Sequence, residues 1–377
     1  MFDLRQCTKL KYEQESYLND LLIMFATSGT TSGPKLVMQP QRTLLAHAKD
    51  CAKAYGMDQQ FSVYLALLPL CGVFGLSGVL AAIAARCPTV LVDSFEARQA
   101  SQWINEFKVT HTFGSDEMVR RLVEVGAEDN PYPSLKLFGF GAFTTSFDDQ
   151  AIKICRKGIP LYGLYGSSEI LAIFSGQAAD LPLEERIKGG GKPVSGVSSS
   201  FRIRDIESGS LLDPNEVGEI EVSTPSMFMG YLDDPEATNK VMLEDGFFKT
   251  NDIGYLRPDH SLVYIGRKGD AIRLSGFLVS PLEIEDSLKQ FVGVFDAQVV
   301  AVDIDGVTRV VAFVIPESQV ELREQDLISK AKHVMAPFKV PAHIWFVDEY
   351  PVTQGSNGMK IQKGKLRDMA LQKLNLK

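Results

Sequence analysis

The sequence predicts an α/β protein with a large N-terminal unit and a smaller C-terminal α+β unit. Short apolar segments rich in β-formers alternate with helical patterns through the first part of the chain, which is typical of a mainly parallel sheet covered by helices. After about residue 195 the strands instead alternate polar and apolar residues, as half-solvated antiparallel strands do. Beyond Gly266 a further set of helices and strands indicates a separate unit.

In the first part, we predict six buried strands and five helices between them. The strands are 21–26, 63–69, 89–93, 110–114, 135–140 and 160–166. The helices are 41–54, 75–86, 96–107, 115–125 and 147–157.

The later elements follow the change in pattern. We predict antiparallel strands at 199–205 and 218–223, helices at 281–291, 323–335 and from about 364, and strands at 297–303, 309–316 and 344–348. The break between the units falls near Arg267–Asp270, which predicts domains at 1–267 and 268–377.

Composition excludes several classes of function. A net charge of −8 argues against a nucleic-acid binder, which needs a basic face to neutralise phosphates. The five cysteines are scattered, and no pair has zinc-ligand spacing. We therefore expect free thiols in a cytoplasmic protein, with no signal peptide and no membrane span.

A glycine- and hydroxyl-rich segment, Thr27-Ser28-Gly29-Thr30-Thr31-Ser32-Gly33-Pro34-Lys35, follows the first strand directly. Glycines let backbone N–H groups approach phosphates, while the hydroxyls add hydrogen bonds and the lysine adds charge. The spacing differs from that of the Walker loop. A flexible linker fits poorly, because a buried strand precedes the segment and we expect a helix to follow it. We predict a phosphate-binding loop.

This segment resembles the phosphate-binding signature of the adenylate-forming superfamily, which includes acyl-CoA synthetases. Further motifs of that family occur in the family's order across residues 25–367. They are Tyr165-Gly166-Ser167-Ser168-Glu169, Lys249-Thr250-Asn251-Asp252, Gly266-Arg267-Lys268-Gly269-Asp270, Ser275-Gly276-Phe277 with Pro281-Leu282-Glu283-Ile284-Glu285, and Pro351 to Lys363.

The resemblance implies a large domain of layered sheets, a mobile small C-terminal domain and an AMP-forming acyl-CoA ligase. Such an enzyme uses ATP and Mg²⁺ to convert a small carboxylic acid into an acyl-adenylate and pyrophosphate, and passes the acyl group to coenzyme A. The protein must screen two negative reactants and stabilise the charge that develops.

The resemblance also assigns residues to the nucleotide. The phosphates fall to Thr27, Ser28, Gly29, Thr30, Thr31 and Lys35, and the base, ribose and α-phosphate fall to Gly141, Ala142, Tyr165, Gly166, Asp252 and Arg267. Glu169 is the implied Mg²⁺ ligand and Ser168 a hydroxyl beside it. For Gly141 and Ala142 an ordinary tight turn remains a competing interpretation.

Lys360 is the implied catalytic lysine that pairs with both the acyl carboxylate and the α-phosphate, as a mobile ammonium can. Lys363 and Lys365 are competitors, but the family lysine is typically followed by Ile or Val, as here by Ile361. We interpret Lys363, Lys365 and Arg367 as a solvated basic tail.

The family separates its half-reactions by rotating the small domain. The resemblance places the hinge at Gly269, where glycine permits rotation at low steric cost. It places Ser275, Gly276 and Phe277 beside the pantetheine channel.

Two departures from the family bear on substrate and assembly. About two dozen residues precede Thr27, whereas members of the family usually have well over a hundred there. We expect exposed apolar surface on the large domain, which a homodimer could cover. Cys71 and Gly72 replace an aromatic–histidine pair near the acyl pocket, which leaves the acid unidentified.

Two alternatives stay open. An enzyme that loads the phosphopantetheine of an acyl carrier protein would share every motif. A non-catalytic nucleotide or acyl sensor is the second, although the combined presence of Lys35, Glu169, Asp252, Arg267 and Lys360 argues against it. The segment near Cys71 has no acidic residue to hold an amino-acid ammonium, which favours a plain carboxylic acid.

Overall fold

The structure is a computed structural model. It describes residues 17–27, 35–126, 129–141, 147–269, 272–274, 277–304, 307–318, 320–355 and 358–374.

Most elements of the first part lie where the sequence predicts them. They are β1 Leu21–Thr27, β2 Lys35–Pro40, α1 Gln41–Ala54, β3 Tyr64–Ala66, α2 Val73–Ala84, β4 Thr89–Leu91, α3 Ala97–Glu106, β5 His111–Ser115, α4 Asp116–Val125, β6 Leu137–Gly141, α5 Asp148–Arg156 and β7 Leu161–Ser167. Local chemistry sets several boundaries: Ser115 ends β5 and also caps α4, since its side chain accepts a hydrogen bond from Met118 N.

The next elements contain several short strands that the sequence analysis did not predict. They are β8 Leu171–Gly176, α6 Leu183–Arg186, β9 Gly190–Pro193, β10 Ser200–Arg204, β11 Gly218–Ser223, β12 Gly230–Tyr231, α7 Pro235–Val241, β13 Phe248–Leu256 and β14 Leu262–Arg267.

One long sheet joins the predicted parallel and antiparallel regions. Its strand order is β10-β11-β13-β14-β9-β8-β7-β6-β5-β3-β4. The strands from β7 to β4 are parallel, whereas those from β7 to β10 are antiparallel. The predicted α/β class is confirmed, and the parallel strands place their carboxyl ends along one edge, where ligands bind in such sheets.

A second, small sheet carries the start of the predicted phosphate loop. Its order is β1-β2-β12, and β1 and β2 form an antiparallel hairpin. The prediction that β1 is buried is wrong: Leu22 is 58% exposed and Met24 is 43% exposed. An apolar edge strand and a buried strand look alike in sequence, because both are continuous runs of β-formers.

The C-terminal elements form small sheets of their own. They are β15 Ile272–Leu274, β16 Phe277–Val279, α8 Pro281–Lys289, β17 Val294–Ile304, β18 Val307–Pro316, α9 Glu324–Val334, β19 His343–Phe346, β20 Val352–Gly355, β21 Gly358–Ile361 and α10 Lys363–Lys373. The sheet β17-β18-β19 carries an apolar cluster on each face: one contains Leu288 and Leu327, the other Leu366 and Ala370. These elements match the predicted α+β unit.

Within the described part of the chain, none of the helices combines the length and the apolar character needed to cross a bilayer.

Candidate active site

The candidate site lies where the parallel strands of the long sheet end. β6 ends at Gly141 and β7 ends at Ser167, which leads into the turn that carries Glu169. β3 leads at the same edge into the loop of Cys71 and Gly72, and Gly72 is the N-cap residue of α2. The topology therefore brings three of the predicted site segments to one edge of the sheet.

The predicted phosphate loop connects the two strands of the β1–β2 hairpin. Thr27 and Lys35 are cross-strand partners, and Thr27 Oγ1 donates to Lys35 O at 3.4 Å. The short strand β2, which was not predicted, lies between the loop and the predicted helix α1. Ser28, Gly29, Thr30 and Thr31 lie outside the described residues. Because β1 and β2 run antiparallel, Lys35 lies opposite Thr27.

Lys35 lies next to a residue that the sequence analysis missed. Its Nζ is 4.9 Å from the centroid of the Tyr231 ring, a distance at which cation and ring attract. The Tyr231 hydroxyl donates to Glu169 Oε1 at 2.9 Å. Tyr231 therefore joins the lysine of the predicted phosphate loop to the carboxylate of the Tyr165–Glu169 motif. The only sequence signal for it is a Gly-Tyr pair after an alternating segment.

The backbone of the Glu169 turn is held by two other elements. Gln39 Nε2 donates to Ser168 O at 2.8 Å and to Glu169 O at 3.2 Å, and Phe228 N donates to Glu169 O at 2.8 Å. Ser168 is half-buried, and Gly166 is exposed at the end of β7. Gln39 and Phe228 thus fix the turn through its carbonyl groups and do not occupy its side chains.

The strand that leaves this turn is strained. Leu171 has φ 68° and Ile173 has φ 62°, a left-handed conformation that costs a non-glycine residue about 1–3 kcal/mol. The α1 helix holds this strand in place: His47 Nε2 donates to Ala172 O at 2.7 Å. Burial lowers the pKa of His47 to about 4, so the ring is neutral at pH 7.

Asp252 forms the second polar centre of the site. It is 3% exposed and sits on β13 directly opposite Arg267 at the end of β14. Arg267 Nε lies 3.1 Å from Asp252 Oδ1, and the Tyr165 hydroxyl donates to Asp252 Oδ2 at 2.7 Å. Despite this ion pair, Asp252 Oδ1 accepts no hydrogen bond of good geometry among the described residues. A buried carboxylate oxygen without a well-aligned donor is costly, and it is available to a ligand hydroxyl.

The charges of the two centres interact. Burial raises the pKa of Asp252 to about 6, Arg267 and Tyr165 lower it, and Glu169 raises it further. The Asp252 carboxylate, followed by smaller contributions that include Glu169, raises the pKa of Arg267. Arg267 is therefore a cation that interacts electrostatically with both carboxylates, and its side chain is 56% exposed, so it can reach a ligand as well.

Asn251, the residue before Asp252, has a left-handed backbone conformation. Asn251 has φ 57°, and asparagine tolerates this left-handed conformation better than most residues. Its carbonyl accepts from Lys268 N at 2.9 Å, which ties β13 to the residue after Arg267.

The Tyr165 ring is buried, whereas a ring that stacks on a base needs an open face. Its ring packs 5.5 Å from the Tyr264 ring and 6.3 Å from the Phe201 ring, and it is 6% exposed. Burial, followed by the charge of Asp252, raises its pKa well above the usual value. The observed contact of Tyr165 is with Asp252, while its predicted contact with adenine stays a prediction. Ala142 lies outside the described residues.

The predicted residues of the C-terminal part are only partly described. Gly269 is exposed, and a Cβ built there would meet nothing within 4 Å. Ser275 and Gly276 lie outside the described residues, and Phe277 is described only by its backbone in β16. The same is true of Lys360, which pairs with Thr353 across the β20–β21 hairpin.

The interpretation of Lys363 as part of a solvated tail is wrong. Its Nζ pairs with Glu285 Oε1 at 2.6 Å, and that carboxylate is fully buried. Arg367 Nε donates to Ala301 O at 3.2 Å. The first turn of α10 therefore docks onto the C-terminal unit, because a buried carboxylate needs a partner.

In the described part of the chain, no group of three or more His, Cys, Asp or Glu side chains could hold a metal ion. Mg²⁺ differs from zinc in this respect, since it commonly binds one or two carboxylates together with substrate phosphates and water. The single carboxylate of Glu169 fits that mode.

Comparison with known proteins identifies relatives over most of the chain. The family model described as AMP-binding enzyme matches residues 5–232, and the model of the AMP-binding enzyme C-terminal domain matches residues 283–356. A 2-succinylbenzoate–CoA ligase of Bacillus licheniformis is 31% identical over 348 residues, which are 92% of this chain and 70% of that protein.

Solved structures share the fold. An ATP-bound RpMatB–BxBclM chimera superposes with a TM-score of 0.82 at 25% identity, over 94% of this chain and 69% of that one. The O-succinylbenzoate coenzyme A synthetase of Bacillus subtilis in complex with AMP gives a TM-score of 0.80 at 24% identity, over 93% of this chain and 70% of that one. The family model and the sequence relatives show that the chain belongs to the AMP-binding enzyme family, which confirms the predicted class of acid–thiol ligase.

Proposed function

We propose that this protein activates a carboxylic acid with ATP and transfers the acyl group to coenzyme A. In the first step the acid carboxylate attacks the α-phosphorus, an acyl-adenylate forms and pyrophosphate leaves. In the second step the thiol attacks the acyl carbon, a thioester forms and AMP leaves. We assign the first step to residues of both predicted domains, 1–267 and 268–377.

The observation that carries this proposal is the buried carboxylate of Asp252. Its Oδ1 is ion-paired with Arg267 Nε at 3.1 Å but accepts no hydrogen bond of good geometry among the described residues, while Oδ2 is fixed by Tyr165 at 2.7 Å. An ionised carboxylate held in this way accepts hydrogen bonds from the two ribose hydroxyls. Arg267, beside it and partly exposed, would contact the ribose and the α-phosphate.

The phosphates and Mg²⁺ fall to the neighbouring centre. Mg²⁺, when bound with ATP, neutralises phosphate charge during the transfer. Glu169 would hold it through a carboxylate that Tyr231 already orients at 2.9 Å. Ser168, Thr27 and Lys35 would contact the phosphates, together with the loop residues Ser28, Gly29, Thr30 and Thr31.

Lys360 is the residue we propose to screen the two reacting anions. Its competitor Lys363 is occupied by the buried Glu285, which supports the choice of Lys360. Gly269 would act as the hinge of the small domain. Rotation there would move Lys360 out of the site and bring in the segment Ser275, Gly276 and Phe277, so that the thiol can enter. A glycine with open space around it tolerates the required backbone change.

Adenine and the acyl group would occupy the rest of the sheet edge. Gly141, Ala142, Tyr165 and Gly166 would flank the base. Cys71 and Gly72 would line the acyl pocket, where small side chains leave room for a bulky acid. Since several relatives are named 2-succinylbenzoate–CoA ligase, 2-succinylbenzoate is the first acid to test.

The thiol acceptor and the assembly state complete the proposal. Coenzyme A is the favoured acceptor because the relatives are named CoA ligases, and an acyl carrier protein is the alternative. We place the reaction in the cytoplasm. The exposed apolar face of β1, with Leu22 and Met24, is where a homodimer would form.

Pyrophosphate release with MgATP across a panel of carboxylic acids, with and without coenzyme A, tests the proposal. Acid-dependent release with an acyl-CoA product is the expected result. Acid-dependent release in which coenzyme A is not used would indicate that a carrier protein is the acceptor. A folded protein that binds AMP but releases no pyrophosphate with any acid would support a sensor instead.

A further inference from the structure

Gln39 is a fully buried polar side chain on β2, the strand that Lys35 begins. Its amide group uses both donors and its acceptor. Nε2 donates to Ser168 O at 2.8 Å and to Glu169 O at 3.2 Å, and Oε1 accepts from Thr43 Oγ1 at 2.9 Å. A buried amide satisfied in this way fixes the groups it contacts, because moving them would leave polar atoms unpaired.

The turn that Gln39 contacts does not hold its shape by local preference. Leu171 and Ile173 just beyond it adopt left-handed conformations, which cost free energy and persist only where the surroundings impose them. Two other elements impose this conformation. Gln39 of β2 contacts the turn itself, and His47 of α1 donates to Ala172 O in the strand after the turn. The position of Glu169 is therefore set by contacts with distant parts of the chain.

The same small sheet also contacts the Glu169 carboxylate. Val37 of β2 pairs with Tyr231 of β12, and the Tyr231 hydroxyl donates to Glu169 Oε1. Lys35, at the start of β2, lies over the Tyr231 ring. One rigid sheet thus sets the lysine of the phosphate loop and both the backbone and the carboxylate of Glu169.

We propose that Gln39 is a positioning residue that fixes Glu169 relative to Lys35 and so sets the affinity for the Mg²⁺ of ATP. This inference rests on the proposed role of Glu169 as a metal ligand. Gln39 is uncharged and acts on the ligand through the main chain. Partners of this kind typically change metal affinity by about 10-fold to 100-fold when removed.

The test compares two matched substitutions of buried glutamines. Gln39→Met keeps the volume and removes both donors. Gln177→Met is the control, since Gln177 is also buried and its Nε2 donates to Leu262 O at 3.2 Å and to Gly189 O at 3.5 Å, away from Glu169. Both variants lose an amide that donates to two main-chain carbonyl groups, and Gln177→Met also removes the acceptor of Arg257 Nη1 at 3.0 Å. A purely structural effect would therefore appear in the control as well.

The readout is the Mg²⁺ concentration that gives half-maximal pyrophosphate release, together with AMP affinity measured without metal. We expect Gln39→Met to raise the Mg²⁺ requirement about tenfold or more while AMP affinity stays within about twofold. Gln177→Met should leave both quantities within about twofold of the wild-type values. An unchanged Mg²⁺ requirement in Gln39→Met, or an equal rise in Gln177→Met, would overturn the inference.

Two further variants separate the possible failures. Glu169→Gln should itself raise the Mg²⁺ requirement; if it does not, the metal role of Glu169 is wrong and this inference falls with it. A response in Glu169→Gln but not in Gln39→Met would overturn the positioning role alone. If Gln39→Met does not fold, the isosteric Gln39→Glu replaces it. Its Mg²⁺ defect should shrink at low pH, where a protonated carboxyl regains one donor, and the absence of any defect would refute the inference.

Discussion

Replacing Asp252 by asparagine should weaken nucleotide binding and stabilise the free protein at the same time. The substitution keeps the shape of the side chain and an oxygen that can accept from the Tyr165 hydroxyl, now 2.7 Å from Oδ2. It removes a negative charge that is 3% exposed. Arg267 loses its ion-pair partner, but its side chain is 56% exposed and can be solvated.

The gain in stability follows from the pKa of Asp252. Burial, partly offset by Arg267, raises that pKa from 3.8 to about 6, and one pKa unit corresponds to about 1.4 kcal/mol. Ionised Asp252 therefore lowers the free energy of unfolding at pH 7 by roughly 3 kcal/mol. The folded state binds more protons than the unfolded state between about pH 4 and 6. Stability consequently falls as pH rises through this window, and Asp252→Asn should lack that fall.

The loss of binding follows from the charge of the acceptor. A hydrogen bond to a charged group contributes about 1.5–3 kcal/mol, so removing the charge should weaken binding about 10-fold to 150-fold. For the same reason wild-type affinity should fall as the pH drops below about 6, where Asp252 becomes protonated.

Adenosine is the ligand for this pH series, because the AMP phosphate itself titrates near pH 6. Calorimetry gives its affinity, and urea unfolding gives the stability. Of the two tryptophans, Trp103 lies in α3, so a Trp345→Phe background reports on the large unit alone. Unchanged nucleotide affinity in Asp252→Asn would refute the ribose role. Unchanged stability with an unchanged pH profile would refute the burial argument.

Three further predictions concern the C-terminal lysines and Asn251. Lys360→Ala should suppress acyl-adenylate formation at least about 100-fold and spare thiolation of supplied acyl-adenylate, as single-turnover assays would show; equal loss of both steps would contradict the assignment. Lys363→Met should cost about 3–5 kcal/mol of stability, because it leaves the buried Glu285 unpaired, and adenylation by the folded fraction should persist. A stability unchanged in thermal unfolding would contradict that ion pair. Asn251→Gly should change stability by less than about 1 kcal/mol, whereas Asn251→Val should cost about 1–3 kcal/mol, since φ is 57° there; equal stabilities would show that the backbone strain is absent.

Local signals account for the elements that sequence reasoning placed well. The α1 helix spans 41–54 as predicted, because its buried residues recur with helical spacing up to Ala52. The parallel strands were recognisable as short apolar runs between helices. β12 was missed since two residues carry no periodicity, and β13 and β14 were obscured because their residues carry ligand-binding motifs instead of simple alternation.

The residues of the candidate site also fall into two groups, those that the sequence reveals and those that it does not. Motif residues such as Glu169, Asp252 and Arg267 are visible in the sequence because they stand in segments that resemble the motifs of the family. Gln39 and Tyr231 are not, since their roles arise from contacts with a turn far away in the chain. A buried glutamine on a strand looks in sequence like any polar residue. Only its contacts in the folded protein show which carbonyl groups it donates to.

The exchange of labelled pyrophosphate into ATP, without coenzyme A, tests the central claim most directly. It reports reversible formation of an acyl-adenylate at the Asp252–Glu169 site and nothing of the second half-reaction. The account predicts exchange that requires both Mg²⁺ and a carboxylic acid, and that Asp252→Asn and Lys360→Ala each suppress. Exchange that is absent with every acid, in protein that is folded and binds AMP, would contradict it.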